Sequence, residues 1–168
     1  MKKYIFILVL AVVALASCEK SEDDTTYDPT KDGIVGEWYS SKTDIAPLLA
    51  GLGIDSIYAN FKADYTYVVE SFTKGAKTTL TGTYSQVKPT TGTIWEITVN
   101  QGSPTTLTSK GIFGVTGTGA TATMQYEVAQ TEPVITGVTA PTVAGGFGST
   151  SGGAFGVLNV QKYKRIEK

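Results

Sequence analysis

The chain has no histidine. That removes the commonest general base near neutral pH, Ser/His/Asp and Cys/His catalytic sets, and histidine metal sites. It has one cysteine, Cys18, so neither an intrachain disulfide nor a thiolate zinc site can form. Arginine occurs once, at Arg165. Charged residues make up 17% of the chain, and 15 acids against 14 bases leave a net charge of −1. A nucleic-acid binder needs a basic footprint that this composition lacks. The domain's carboxylates do not suggest a catalytic pair. Glu70 and Glu96 are the nearest candidates for glycoside chemistry, but alternation puts Glu96 on an outer face. The glycine-rich stretches do not follow a strand and open a helix, so no phosphate loop is indicated. No catalytic residue, metal ligand, cofactor or nucleic-acid partner is therefore expected.

The length of 168 residues fits one domain. Residues 1–17 read as a secretory signal: Lys2 and Lys3 precede an uncharged apolar run over 4–16. That run is shorter than the roughly 20 residues needed to cross a bilayer. It ends in Leu15-Ala16-Ser17-Cys18. Residues 18–32 carry a net charge of −4 and few apolar groups. Such a segment buries too little surface to fold by itself and is expected to be a disordered acidic tether. From Gly33 onward the net charge is +1.

Residues 33–168 have the composition of β-structure. Threonine occurs 26 times in the chain and tyrosine 9 times, with glycine and proline at short intervals. Strands are expected over 34–41, 54–62, 65–72, 77–87, 93–100, 105–115, 120–129 and 155–166. Eight strands in succession suit an all-β, antiparallel up-and-down barrel. Alternation groups Trp95, Ile97 and Val99 against Glu96, Thr98 and Asn100. It likewise groups Leu80, Gly82 and Tyr84, and Met124, Tyr126 and Val128, with Gln125 and Glu127 facing out. In the last strand Leu158 and Val160 share a face. Ile45, Leu48, Leu49 and Leu52 recur at helical spacing, so one short helix is expected within 43–53, capped by Thr43 or Asp44. It serves either as a core-plugging turn or as a lid over one barrel mouth. Residues 131–154 are rich in Gly, Pro and Thr and read as a long flexible loop, with Phe147 and Phe155 as its apolar anchors and room for a hairpin in 134–143.

Two resemblances add to this reading. Leu15-Ala16-Ser17-Cys18 resembles the lipobox of bacterial lipoproteins. That implies acylation of Cys18 and an outer-membrane, lipid-anchored location, on the periplasmic or cell-surface face. Lys20-Ser21-Glu22-Asp23-Asp24 is similar to the export signal of surface lipoproteins of the Bacteroidetes group; a plain solvated spacer is the alternative. Gly36-Glu37-Trp38 on the first strand, Asn60 to Tyr67, and Gly82-Thr83-Tyr84 resemble pieces of lipocalin-like domains. The resemblance covers about 33–100 and fades beyond. It implies that Trp38 plugs the closed end of a barrel with Arg165 packed on it, although Arg165 could equally be a solvated end residue.

The inner face of such a barrel would carry Trp38, Phe61, Tyr67, Tyr84, Trp95 and Tyr126. These are the candidate ligand-binding residues if a cavity exists; a closed core is the alternative. Two functions remain open. One is a non-catalytic binding module for a small apolar or sugar-like ligand. The other is a structural or adaptor lipoprotein holding a protein partner through the Gly-rich loop. An internal cavity favours the first. A packed interior with an ordered apolar loop tip favours the second.

Overall fold

A computed structural model describes residues 26–167. The expected signal segment, Cys18 and residues 19–25 of the expected tether lie outside the described residues. Eight antiparallel strands close into one barrel in sequence order: β1 (Gly36–Ser41), β2 (Ser56–Phe61), β3 (Thr66–Thr73), β4 (Ala76–Val87), β5 (Ile94–Ser103), β6 (Leu107–Thr116), β7 (Thr123–Glu132) and β8 (Gln161–Ile166). Each strand pairs with its neighbour in sequence, and β8 returns to pair with β1. This is the up-and-down barrel expected from the strand spacing. Two-residue hairpin chemistry is visible at Lys74-Gly75, where both residues take positive φ and Thr73 pairs with Ala76. That backbone twist matches the twist of the strands it joins.

Alternation fixes the inner face. Trp95, Ile97 and Val99 are buried, while Glu96 and Asn100 are exposed. Met124, Tyr126 and Val128 belong to or pack on the core. Two strands begin at least three residues later than expected. The eighth starts at Gln161 because 156–159 form a 3-10 turn, and Leu158 is an exposed turn residue rather than a face partner of Val160. The seventh starts at Thr123, behind a 3-10 turn over 119–121.

The expected helix is also shorter. Residues 42–44 form a 3-10 turn, and the helix α2 covers only Pro47–Gly51. Proline fixes its first position, where a missing N–H costs nothing, and neither Thr43 nor Asp44 caps it. Ile45 is buried and Leu49 packs on the core, while Leu48 and Leu52 face solvent. Gln161 holds the entry to this helix in place. Its Oε1 accepts from Ala46 N at 2.8 Å, and its Nε2 donates to Asp44 O and Ser40 Oγ.

Two larger corrections concern the ends of the barrel wall. Order extends into the expected tether: Tyr27 already packs in the barrel core. Tyr27 is buried, and a one-turn helix α1 (Pro29–Asp32) follows, with Asp28 accepting from Thr30 N at 2.9 Å. An acidic composition averaged over 18–32 hides one aromatic anchor and a cap-proline pair. The second correction is the long connection between β7 and β8. Residues 133–160 form no strand, and they are fastened as a strap rather than hanging as a flexible loop. The strap's own turns are hydrogen-bonded, as from Gly146 N to Thr142 O and from Ser151 N to Thr139 O. Phe147 lies against Gly114 of β6.

Candidate functional site

The barrel has two unlike poles. β1 enters at one pole and ends at the other, where α2 sits. The pole nearest the N-terminus is plugged. Trp38 has no exposure, and its Nε1 donates to Ile34 O at 2.8 Å. Tyr27 meets its ring edge-on at a centroid distance of 5.8 Å, and the Tyr27 hydroxyl donates to Gly33 O. The Arg165 guanidinium lies 3.8 Å over the Tyr27 ring and 5.6 Å from that of Trp38. Its Nη1 donates to Val35 O at 3.1 Å. The expected Trp38–Arg165 contact therefore exists, but the closer cation–π partner is Tyr27, which the tether reading concealed. Gly36 is required here: it has φ +131°, and a Cβ on it would stand 2.1 Å from Arg165 Nη1.

Above the plug lies a belt of aromatic rings. Trp95 stacks on Phe113 at 5.7 Å, and Phe61 meets Tyr84 edge-on at 5.2 Å. The Tyr84 hydroxyl donates to Lys62 O at 2.8 Å. Trp38, Tyr84 and Trp95 are inward-facing as expected, but they are committed to packing and line no cavity.

Beyond the belt, toward α2, an internal cavity of about 230 Å³ opens. Phe61, Tyr67 and Tyr126 form its deep end. Val69, Leu80, Val99 and Val128 line its walls, and Leu49 and Ile54 lie at the helical end. Ser71, Gln101 and Ser109 add polar atoms, and no charged side chain of the described residues lines it. Tyr163 also lines the cavity and was not anticipated. Its signal was present: it alternates with Lys162 and Lys164. Tyr126 sits 6.3 Å from Phe61 and 6.2 Å from Tyr163, ring to ring.

Burial governs the chemistry of these tyrosines. It pushes the Tyr67 hydroxyl up to about 12 and those of Tyr126 and Tyr163 well above the ordinary tyrosine value. The neighbouring hydroxyls of Tyr163 and Tyr67 raise Tyr126 further. All three are neutral donors at any physiological pH. Their rings pack on one another and on Phe61, and no hydrogen-bond partner for their hydroxyls occurs among the described residues.

A larger depression of about 730 Å³ lies outside the plugged pole, around Glu37, Lys62, Arg165 and Glu167. It is an open surface groove with both signs of charge, and the mainly apolar space inside the barrel is the better binding cavity. Among the described residues no cluster of three or more Asp, Glu or Cys could hold a metal ion. No described helix is long and apolar enough to cross a membrane.

The outer wall carries a second polar construction. Glu127 faces away from the barrel axis, as alternation requires, yet has no exposure. The strap covers it. Glu127 Oε2 accepts from Gly148 N at 2.6 Å, and Oε1 accepts from Thr150 N at 3.1 Å and from the Thr150 hydroxyl. Asn159 Nδ2 donates to Thr150 Oγ1 and to Val128 O, both at 3.0 Å. Ile112, paired with Glu127 across the two strands, is also fully buried.

Comparison with protein-family models, with curated proteins and with solved structures returned no match for this chain.

Proposed function

We propose that this protein is a membrane-anchored lipoprotein whose barrel is a non-catalytic binding module for a small, mainly apolar molecule. The observation that carries the binding reading is the cavity of about 230 Å³ inside the barrel, on the α2 side of the aromatic belt. A barrel of eight strands either fills its interior with side chains or keeps space for one small ligand. This one does both, filling one half and leaving space in the other. A dry cavity of roughly 150 Å³ holds benzene, so by proportion this space suits about nine non-hydrogen atoms. The Gly-rich segment supports the adaptor reading less well, because Phe147 is spent on the protein's own β6.

The anchor reading rests on Leu15-Ala16-Ser17-Cys18. Two or three acyl chains on one cysteine, at about 0.8 kcal/mol per buried methylene, hold a soluble domain on a bilayer. Cys18 precedes the described barrel by so few residues that it reaches at most about 29 Å from Thr26. The chain enters at the plugged pole, so that pole lies nearest the outer membrane and the cavity opens on the far side. The reading is of an anchored carrier on the periplasmic or cell-surface face, and its support is the Leu15-Ala16-Ser17-Cys18 resemblance.

Native mass spectrometry tests the binding reading. Residues 19–168 contain every strand of the closed barrel. Incubated with a mixed pool of small molecules, they are expected to retain an added mass that Leu80→Trp, which fills the cavity, abolishes without changing the circular dichroism. A bare mass in every pool sinks the reading. The anchor is tested by growing cells on labelled palmitate. Label in the wild-type chain and none in Cys18→Ala is the expected result, and equal label in both would remove the anchor.

A further inference from the structure

We infer that the cavity selects an uncharged ligand of about nine non-hydrogen atoms, apolar over most of its surface, whose single hydrogen-bond acceptor is met by the tyrosine hydroxyls of Tyr67, Tyr126 and Tyr163. The inference rests on the binding reading above and deepens it by naming the ligand's chemistry.

Three observations lead there. The first is charge. No lysine, arginine or carboxylate of the described residues lines the cavity. An ionised ligand would leave water for a space with no counter-charge, at several kcal/mol. A carboxylate and an ammonium are both disfavoured on that ground.

The second is the donor set. Three tyrosine side chains converge on one cavity, and their hydroxyls have no hydrogen-bond partner among the described residues. The three hydroxyls are not sealed away: among the described residues only Arg165 Nε is a buried side-chain polar atom without a partner, so the tyrosine hydroxyls keep accessible surface and are free to meet a ligand. Tyr84 and Tyr27 differ, each donating to a backbone carbonyl. The Tyr67, Tyr126 and Tyr163 hydroxyls hold their protons under physiological conditions, so what they offer a ligand is a donor. A carbonyl, ether or hydroxyl oxygen satisfies it.

The third is the distribution of polarity. Val69, Leu80, Val99 and Val128 make the walls mainly apolar, with Ser71, Gln101 and Ser109 as the polar exceptions. Phe61 stands beside Tyr67 and Tyr126 at ring distances of 5.9 and 6.3 Å. The three tyrosines therefore stand together around an aromatic face, Tyr67 and Tyr126 against Phe61 and Tyr163 against Tyr126, and the ligand's body lies along mainly aliphatic walls.

The test compares three probes of nearly equal size: acetophenone, propylbenzene and benzoate. Each is titrated into residues 19–168 by calorimetry and by ligand-observed NMR. Acetophenone is expected to bind about threefold to tenfold more tightly than propylbenzene, the worth of one net hydrogen bond. Benzoate is expected not to bind at pH 7. In Tyr126→Phe, or in Tyr67→Phe where the first variant folds poorly, the preference for acetophenone over propylbenzene shrinks while propylbenzene affinity is kept. Equal affinity for acetophenone and propylbenzene, or tightest binding of benzoate, overturns this inference and leaves the binding barrel standing. Binding of none of the three overturns both.

Discussion

Glu127 is a buried carboxylate on the outer wall, and three hydrogen bonds from Gly148 and Thr150 replace its lost water. A buried charge is tolerable only when its lone pairs are satisfied in this way. The bonds are charge-assisted and therefore stronger than neutral ones. Glu127→Ala leaves the Gly148 N–H, the Thr150 N–H and the Thr150 hydroxyl unpaired beneath the strap. It is expected to lower the unfolding free energy by about 3 kcal/mol, read as a shift in the urea midpoint. Propylbenzene binding in the cavity should be unchanged, because Glu127 is on the other side of the wall. A midpoint equal to wild type would show that the strap is not held by this group.

At the scale of elements, the strands were the legible part. Alternation in β5 and β7 names their inner residues, since in and out differ by one position. What alternation does not report is height along the barrel axis. Trp38, Tyr84 and Trp95 point inward as Phe61, Tyr67 and Tyr126 do, but strand stagger sets the first three into the plug and belt and the others beside the cavity. The strap escaped the sequence for a different reason. A glutamate between Tyr126 and Val128 has the same pattern whether water or a distant segment covers it. Only the pairing of Glu127 with Gly148 and Thr150, far apart in the chain, decides. Tyr27 was hidden by its acidic neighbours, although Asp28-Pro29 is a local helix start that could have been read there. In α2 the apolar spacing was real, but Pro47 moved the helix start past Ile45.

The whole molecule has a simple response to alkali. Burial is the main reason that the hydroxyls of Tyr27, Tyr67, Tyr84, Tyr126 and Tyr163 are held above the ordinary value of 10.0 in the folded barrel, Tyr67 and Tyr84 at about 12. In the unfolded chain they ionise near 10. The stability they contribute is therefore complete below pH 10 and declines as the pH rises from 10 through 12, where only the unfolded chain gives up its protons. The urea midpoint is expected to be level from pH 7 to about 9.5 and to fall steeply above 10. Tyrosinate absorbance at 295 nm should report these five residues only as the barrel opens. Ionisation of these five tyrosines near pH 10 with the circular dichroism intact would contradict this.

The pairing of β8 with β1 has a consequence for how the chain is made. Every other strand pair joins neighbours along the sequence, whereas this one brings Trp38 beside Arg165. During synthesis the first seven strands can form a curled sheet with β1 and β7 as bare edges, templates for pairing with another nascent chain. Emergence of Gln161–Ile166, one short strand, removes both edges at once, and the same strand delivers Arg165 to Tyr27 and Trp38. Sealing the wall and plugging the pole are thus a single event.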